Sequence, residues 1–368
     1  MFKKYLSTLA FAFGFVCMLY YGKRLLIPLV LAVSVWYLIN MLTDLFARVP
    51  FPLPYMRGRK LPRFLAFCAS LFTIAAIIYF TSRIITSNIT EVAAVAPAYQ
   101  YNLERMSRRV LSFVPWNEPL SISNLITGVD FGSVARTLLR ELTNVFGQGT
   151  IVSTYVLFLF MEQRSFMSKL VILFPAPARQ AEVIGIIKRI NSDVRKYIGI
   201  KTIASVVTAL ISYAIMSAVD LKFASFWAFL IFLLNYIPTV GSIVATALPT
   251  LFALMQYESL GPFLAVLIGV GIVQISIGNF IEPRFQGDNL NLSPLVIIIS
   301  LALWNTIWGI PGMFLCVPMT AVAMIIFSHF PQTRPIAIAL SLVGNLRDPV
   351  VPVGEREPEK EPTAEGKE

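Results

Sequence analysis

The chain is short of the residues that soluble enzymes rely on. Of 368 residues only 14% are charged, and a single histidine, His329, is present. One imidazole rules out most metal centres and most acid–base constellations, which need several such groups converging on one point. The three cysteines, Cys17, Cys68 and Cys316, lie far apart inside apolar stretches. They offer neither a disulfide framework nor metal-ligand spacing. No glycine-rich run ends in Gly-Lys-Ser or Gly-Lys-Thr, so no P-loop for ATP is encoded. An intramembrane enzyme would need a nucleophile with its base, and paired carboxylates are missing too. No catalytic residue, metal or cofactor is assigned, and the chain is read as a non-enzyme.

What is abundant is apolar. The hydrophobic fraction is 57% and the mean hydropathy +0.73, where soluble domains run near a quarter charged. Apolar runs of about 20 residues, the length that crosses a hydrocarbon core, recur along the chain. They fall at 6–21, 25–46, 64–85, 146–161, 202–219 and 262–280. The first two, joined through Gly22-Lys23-Arg24 with no small-residue cleavage site, read as an uncleaved helical hairpin. Two longer runs, 223–257 and 292–330, are interrupted near their middles by proline and glycine. The expected fold is all-α: a polytopic membrane protein with about six full spans plus two broken helical hairpins.

Charge orients the spans. Arg48, Arg57, Arg59, Lys60 and Arg63 follow the second run. Arg164, Lys169, Arg179, Lys188, Arg189, Arg195, Lys196 and Lys201 follow the fourth, against only Glu162, Glu182 and Asp193. The positive-inside rule makes both linkers cytoplasmic, together with both termini. The formal net charge of +10 then reflects membrane sidedness, and no nucleic-acid partner is expected. Five regions follow: N-terminal spans over 1–86, an extracytoplasmic amphipathic helical segment over 87–145, a fourth span with a basic interfacial helix over 146–201, a core over 202–331, and a cytoplasmic, largely disordered tail over 332–368. The 87–145 segment serves packing or subunit contact, or covers a pathway as a lid.

The breaks carry the functional signal. Asn235-Tyr236-Ile237-Pro238-Thr239-Val240-Gly241-Ser242 divides the first long run, and Asn305-Thr306-Ile307-Trp308-Gly309-Ile310-Pro311-Gly312 the second. Proline removes an amide donor and glycine admits the backbone angles that end a helix. Backbone groups left unpaired at membrane depth must face protein or water. By the count of spans, the two hairpins enter from opposite faces, the arrangement of an inverted-repeat secondary transporter with its site near the midplane. Proline-kinked helices in a structural bundle are the plainer alternative.

Asn235, Pro238, Gly241, Ser242, Gln274, Asn279, Pro311 and Gly312 are the candidate substrate-pathway residues, since polar groups within spans mark routes through them. Gln274 and Asn235 are equally readable as groups that bond a neighbouring helix or the broken backbone. Glu282, in Gly278-Asn279-Phe280-Ile281-Glu282-Pro283-Arg284, either binds a coupling ion or simply pairs with Arg284 where the helix leaves the membrane.

The stretch from Asn235 to Gly241 and the positions Gln274, Gly278-Asn279, Glu282-Pro283, Leu292-Ser293, Trp304, Gly309, Gly312-Met313 and Val317-Pro318 resemble the autoinducer-2 exporter family of bacterial membrane proteins. Many family members carry an acid three residues after the glutamine, whereas this chain has Ile277, which leaves coupling to another group such as Glu282. The resemblance implies an oligomeric secondary transporter of the bacterial inner membrane. Its partners are the lipid bilayer, further copies of itself and a small polar solute, with autoinducer-2, a quorum-sensing signal, as the named candidate. Transport would proceed by alternating access. Sodium/proton antiport on the same scaffold is the rival function, and a non-transporting scaffold the other.

Overall fold

The structure, a computed structural model, describes residues 13–48, 61–84, 147–257, 259–286, 290–344 and 346. The 87–145 segment, the basic run 49–60 and the tail beyond 346 lie outside the described residues. Helix α1 is Lys23–Arg48, separated from helical residues 13–21 by Gly22 alone. There follow α2 (Arg63–Ile84), α3 (Gly149–Glu162), α4 (Phe166–Leu173) and the 42-residue α5 (Pro177–Ala218). Next come α6 (Ala224–Leu234) and α7 (Val240–Gln256). Helix α8 (Leu260–Ile275) runs through a π-helical turn, Ser276–Ile281, into α9 (Glu282–Gln286). The chain closes with α10 (Pro294–Trp308), α11 (Ile310–His329) and α12 (Arg334–Leu340).

Among the described residues five helices are long and apolar enough to cross a membrane: α1, α2, α5, the continuous 260–286 rod and α11. The all-α polytopic expectation holds. So do the two interruptions, because α6–α7 and α10–α11 are the four arms of two hairpins broken at 235–239 and at Gly309.

One boundary needs correction. The basic interfacial helix and the fifth span are a single rod, α5, about 63 Å long at 1.5 Å per residue. No proline interrupts it after its first turn, and glycine inside a helix weakens it without ending it. Gly199 is instead a contact point: a Cβ there would lie 2.7 Å from the Met41 sulfur of α1. Arg195 pairs with Asp44 across the same contact, so α5 is fastened to α1 by shape and by charge.

The 260–286 rod runs antiparallel to α5. Lys201 meets Glu282, while a Cβ on Gly269 would touch the Ile215 side chain at 2.9 Å. Separations of 14 residues on one helix and 13 on the other match.

The hairpins point in opposite senses. The open end of the first lies at the end of α5, where the Tyr257 hydroxyl donates to the Val219 carbonyl and Gln256 Nε2 to that of Asp220. Its tip lies back along α5: the Tyr236 and Thr202 hydroxyls are 2.7 Å apart, and Asn235 Nδ2 donates to Ser205 Oγ at 3.2 Å. The second hairpin has its foot near that tip, since Pro238 lines one cavity with Leu292 and Ile297. Its own tip is remote, with Trp308 Nε1 donating to the Leu19 carbonyl at 3.0 Å.

Residues 332–344, the start of the region expected to be largely disordered, include α12 and an antiparallel bridge between Leu292 and Ser341. Ser293 N–H donates to the Leu340 carbonyl and Leu342 N–H to that of Asn291. Apolar Ile336, Ala337 and Leu340 continue the helical pattern, and Ala337 is fully buried.

Candidate solute cavity

Both hairpin tips are built from residues that a regular helix cannot accept. At the first, Thr239 has φ 59° and ψ −62°. The Pro238 carbonyl accepts from Val240 N–H at 2.5 Å. That combination is a γ-turn of the rare, strained kind, in a β-branched residue that disfavours positive φ. At the second tip Gly309 takes φ 66° and ψ −143°, a region open in practice to glycine alone.

Each second arm then presses a glycine against its first arm. A Cβ on Gly241 would fall 1.8 Å from the Leu234 carbonyl oxygen, and one on Gly312 would fall 2.1 Å from that of Trp304. The two breaks thus share one packing device. These glycines are elbows closed by backbone contact.

The π-turn decides which side chain faces inward. Val266, Val270, Gln274 and Ile277 are buried along the rod at helical spacing. Continued α-helix would bring Ile281 to that face next. The extra residue of the π-turn delays the register by one: Ile281 is exposed and Glu282 is buried. Sequence periodicity gives no notice of such a turn, which is frequent at functional sites.

Glu282 therefore does not pair with Arg284, as the span-end reading allowed. Lys201 Nζ donates to both of its carboxylate oxygens, at 2.7 and 2.9 Å, and Gln286 Nε2 donates to Oε1 at 2.9 Å. Lys201 is 7% exposed and Glu282 8%. Burying both charges costs several kcal/mol per ion, repaid only by geometry of this quality. Lys201 was legible only as one more cytoplasmic cation. Its signal was its place as the last charge before an uncharged stretch, 202–219.

The pair forms one wall of a cavity of about 190 Å³. Tyr197, Lys201, Glu282, Gln286 and Asn291 supply polar surface, and Pro238, Leu292, Ile297, Val317 and Leu342 the apolar walls. A mixed lining with an opposed cation and anion suits a small, multiply hydrogen-bonding solute. Among the described residues no three His, Cys, Asp or Glu side chains cluster to hold a metal ion.

Of the candidate pathway residues, Pro238 lines this cavity, where it meets the ion-coupling candidate Glu282. Asn235 lies one turn away, buried against Ser205. Ser242 Oγ donates to the Thr239 carbonyl within its own turn. Gln274 is buried deeper in the bundle, and its Nε2 has no hydrogen-bond partner among the described residues. Asn279 is exposed on the π-turn. Pro311 and Gly312 belong to the far tip, some 20 Å of helix α10 away from Ile297.

Residues 9–332 match the family described as AI-2E family transporter. The AI-2 transport protein TqsA of Escherichia coli is 28% identical over 335 residues, 88% of this chain and 92% of its own length. A Haemophilus influenzae relative is 31% identical over 304 residues, covering 80% and 85% of the two chains. A Borreliella burgdorferi relative is 30% identical over 258 residues, covering 69% and 70%. With the family match spanning both hairpins and the Lys201–Glu282 pair, the chain is a multi-pass membrane protein that belongs to the AI-2E transporter family.

Proposed function

We propose that this protein is a secondary exporter of a small polar solute in the bacterial inner membrane, with both termini cytoplasmic, working by alternating access around the Lys201–Glu282 cavity. The observation that carries this reading is the meeting of the first hairpin's tip with the second hairpin's foot at one cavity walled by the buried Lys201–Glu282 pair. Opposed hairpins joined at one site let a modest displacement of either expose it to the other side of the membrane. Autoinducer-2 is the solute to test first, because the TqsA relative is named for its transport.

In cells lacking their own exporter, expression of the chain should lower cell-associated autoinducer-2 severalfold and raise it in the medium. Gln274→Ala should abolish that export at wild-type membrane abundance. Unchanged distribution of the signal on expression rejects autoinducer-2, and wild-type efflux by Gln274→Ala removes that residue from the pathway.

The buried Lys201–Glu282 pair favours one rival, sodium/proton antiport, since an acid so placed can exchange a proton for a cation. Sodium-driven proton movement in vesicles, lost in Glu282→Gln and unaffected by the polar solute, would select that function over export.

A further inference from the structure

Beyond the cavity, Lys201, Ser205, Thr208 and Ser212 follow one another along α5 at spacings of four, three and four, one face of a helix. All four are buried, the three hydroxyl residues at 0% exposure. A face turned into a helical bundle is ordinarily apolar. Here these four hydrogen-bonding groups share the buried face with Ala204, Ala209 and Met216, at a depth where unpaired polar atoms are costly.

Part of this face is satisfied. Ser205 Oγ accepts from Asn235 Nδ2, and Thr208 Oγ1 donates to the Ala204 carbonyl at 2.8 Å. Ser212 Oγ and Gln274 Nε2, both buried, have no partner among the described residues. The antiparallel register gives their relative depth. Gln274 is eight residues before Glu282 and five after Gly269, which face Lys201 and Ile215. It is therefore level with residues 208–210 of α5, between the Thr208 and Ser212 hydroxyls. From Lys201 to Ser212 the column extends about 16 Å, roughly half of a hydrocarbon core of about 30 Å.

Chemistry selects the ligand. The cavity is at the Lys201–Glu282 end, and Ser205, Thr208, Ser212 and Gln274 are not among the residues that line it. Buried hydroxyl and amide groups with unpartnered atoms are the kind that single water molecules bridge, and with them a proton.

We propose that this column is a proton path that ends at Glu282 and supplies the coupling ion for transport. The proposal rests on the secondary-transport reading above. A proton entering near Ser212 is passed between hydroxyls and bridging waters, each group accepting on one side and donating on the other. The Glu282 carboxylate takes it up, and one Lys201 N–H contact is given up. Release of that proton to water in the cavity restores the pair, so one proton enters and one leaves with no other charge moved.

Small hydroxyl residues also let helices pack closely, and alanine separates the two roles because it keeps the size and removes the relay. The full chain is reconstituted into vesicles containing a pH-sensitive dye, and a valinomycin-set potassium potential drives protons inward. Wild type should acidify the lumen faster than protein-free vesicles. Thr208→Ala and Ser212→Ala should each slow that flux about tenfold at equal incorporation and equal elution in gel filtration, while Thr208→Ser retains it. Wild-type flux in both alanine variants overturns the column as a path. Solute export by cells, with no protein-dependent proton flux in vesicles, overturns the coupling and leaves the exporter standing. Loss of export with proton flux intact has the opposite meaning, sinking the solute assignment and sparing the path.

Discussion

Gly312 sits so close to Trp304 that a methyl group on its Cα would lie 2.1 Å from the Trp304 carbonyl oxygen. Gly241 stands in the same relation to Leu234, at 1.8 Å. Neither neighbour can yield, because both are backbone. Gly241→Ala and Gly312→Ala should each cost about 2–3 kcal/mol, in the range of overpacked cores. Gly271, with nothing within 4 Å of its missing Cβ, is the control. Gly271→Ala should be neutral or stabilising by a few tenths of a kcal/mol to about 1 kcal/mol. Denaturant unfolding in detergent measures all three, and equal stabilities would refute the closed-elbow account.

Lys201→Met should destabilise the protein by about 3–5 kcal/mol, because it leaves the Glu282 carboxylate buried and unpaired. Adding Glu282→Gln should recover at least 1 kcal/mol or so of that loss, the non-additivity expected of direct contacts. Additive losses in this double-mutant cycle would mean that the two side chains do not meet in the membrane.

Thr239 holds a positive φ that costs a β-branched residue on the order of 1–3 kcal/mol. Thr239→Gly should therefore raise the unfolding midpoint. If the strained turn is a hinge for the first hairpin, transport should fall even as stability rises. A lowered midpoint would show that the turn is unstrained.

The π-turn makes an unusual prediction. Deleting Gly278, where an added Cβ would meet nothing within 4 Å, removes one residue from the widened turn and lets regular α-helix carry Glu282 onto the inward face. The deletion should keep stability within about 1 kcal/mol of wild type. An equivalent deletion at Ile268, in regular helix, should turn the whole inward face away and unfold the protein. Equal outcomes for the two deletions would count against the register argument.

The strand-like link from Asn291–Ser293 to Leu340–Leu342 holds Leu342 against the cavity. Truncation after Leu340 should open that wall. With Cys17 and Cys68 changed to serine, a Leu290→Cys reporter, buried in the intact chain, should react with a membrane-impermeant thiol reagent about tenfold faster. Unchanged labelling would place the entrance elsewhere.

Much of this architecture was readable from Pro238, Gly241, Gly309 and Gly312, because prolines and glycines inside long apolar runs announce where helices must break. Lys201 was not, because counting cations assigns it to a cytoplasmic linker. Only the unbroken α5 carries it into the bundle. Glu282 was noticed as a lone acid, either an ion ligand or a partner of Arg284, since a neighbour in sequence is the simplest pairing when the register of a distant helix is unknown. Gln274 was picked out for its polarity, whereas its unpartnered amide is visible only with the surrounding helices in place.

By itself the sequence determined what lipid demands of a chain: how long each apolar run must be, where backbone hydrogen bonding may lapse, and which charges stay in water. Those are local quantities, written into composition and spacing. Tertiary structure decided which buried groups meet. A one-residue widening in the 276–281 turn and the antiparallel alignment of two rods brought Lys201 to Glu282, 81 residues apart. That pairing is a matter of angle and register between separate helices, and no residue pattern along either one contains it.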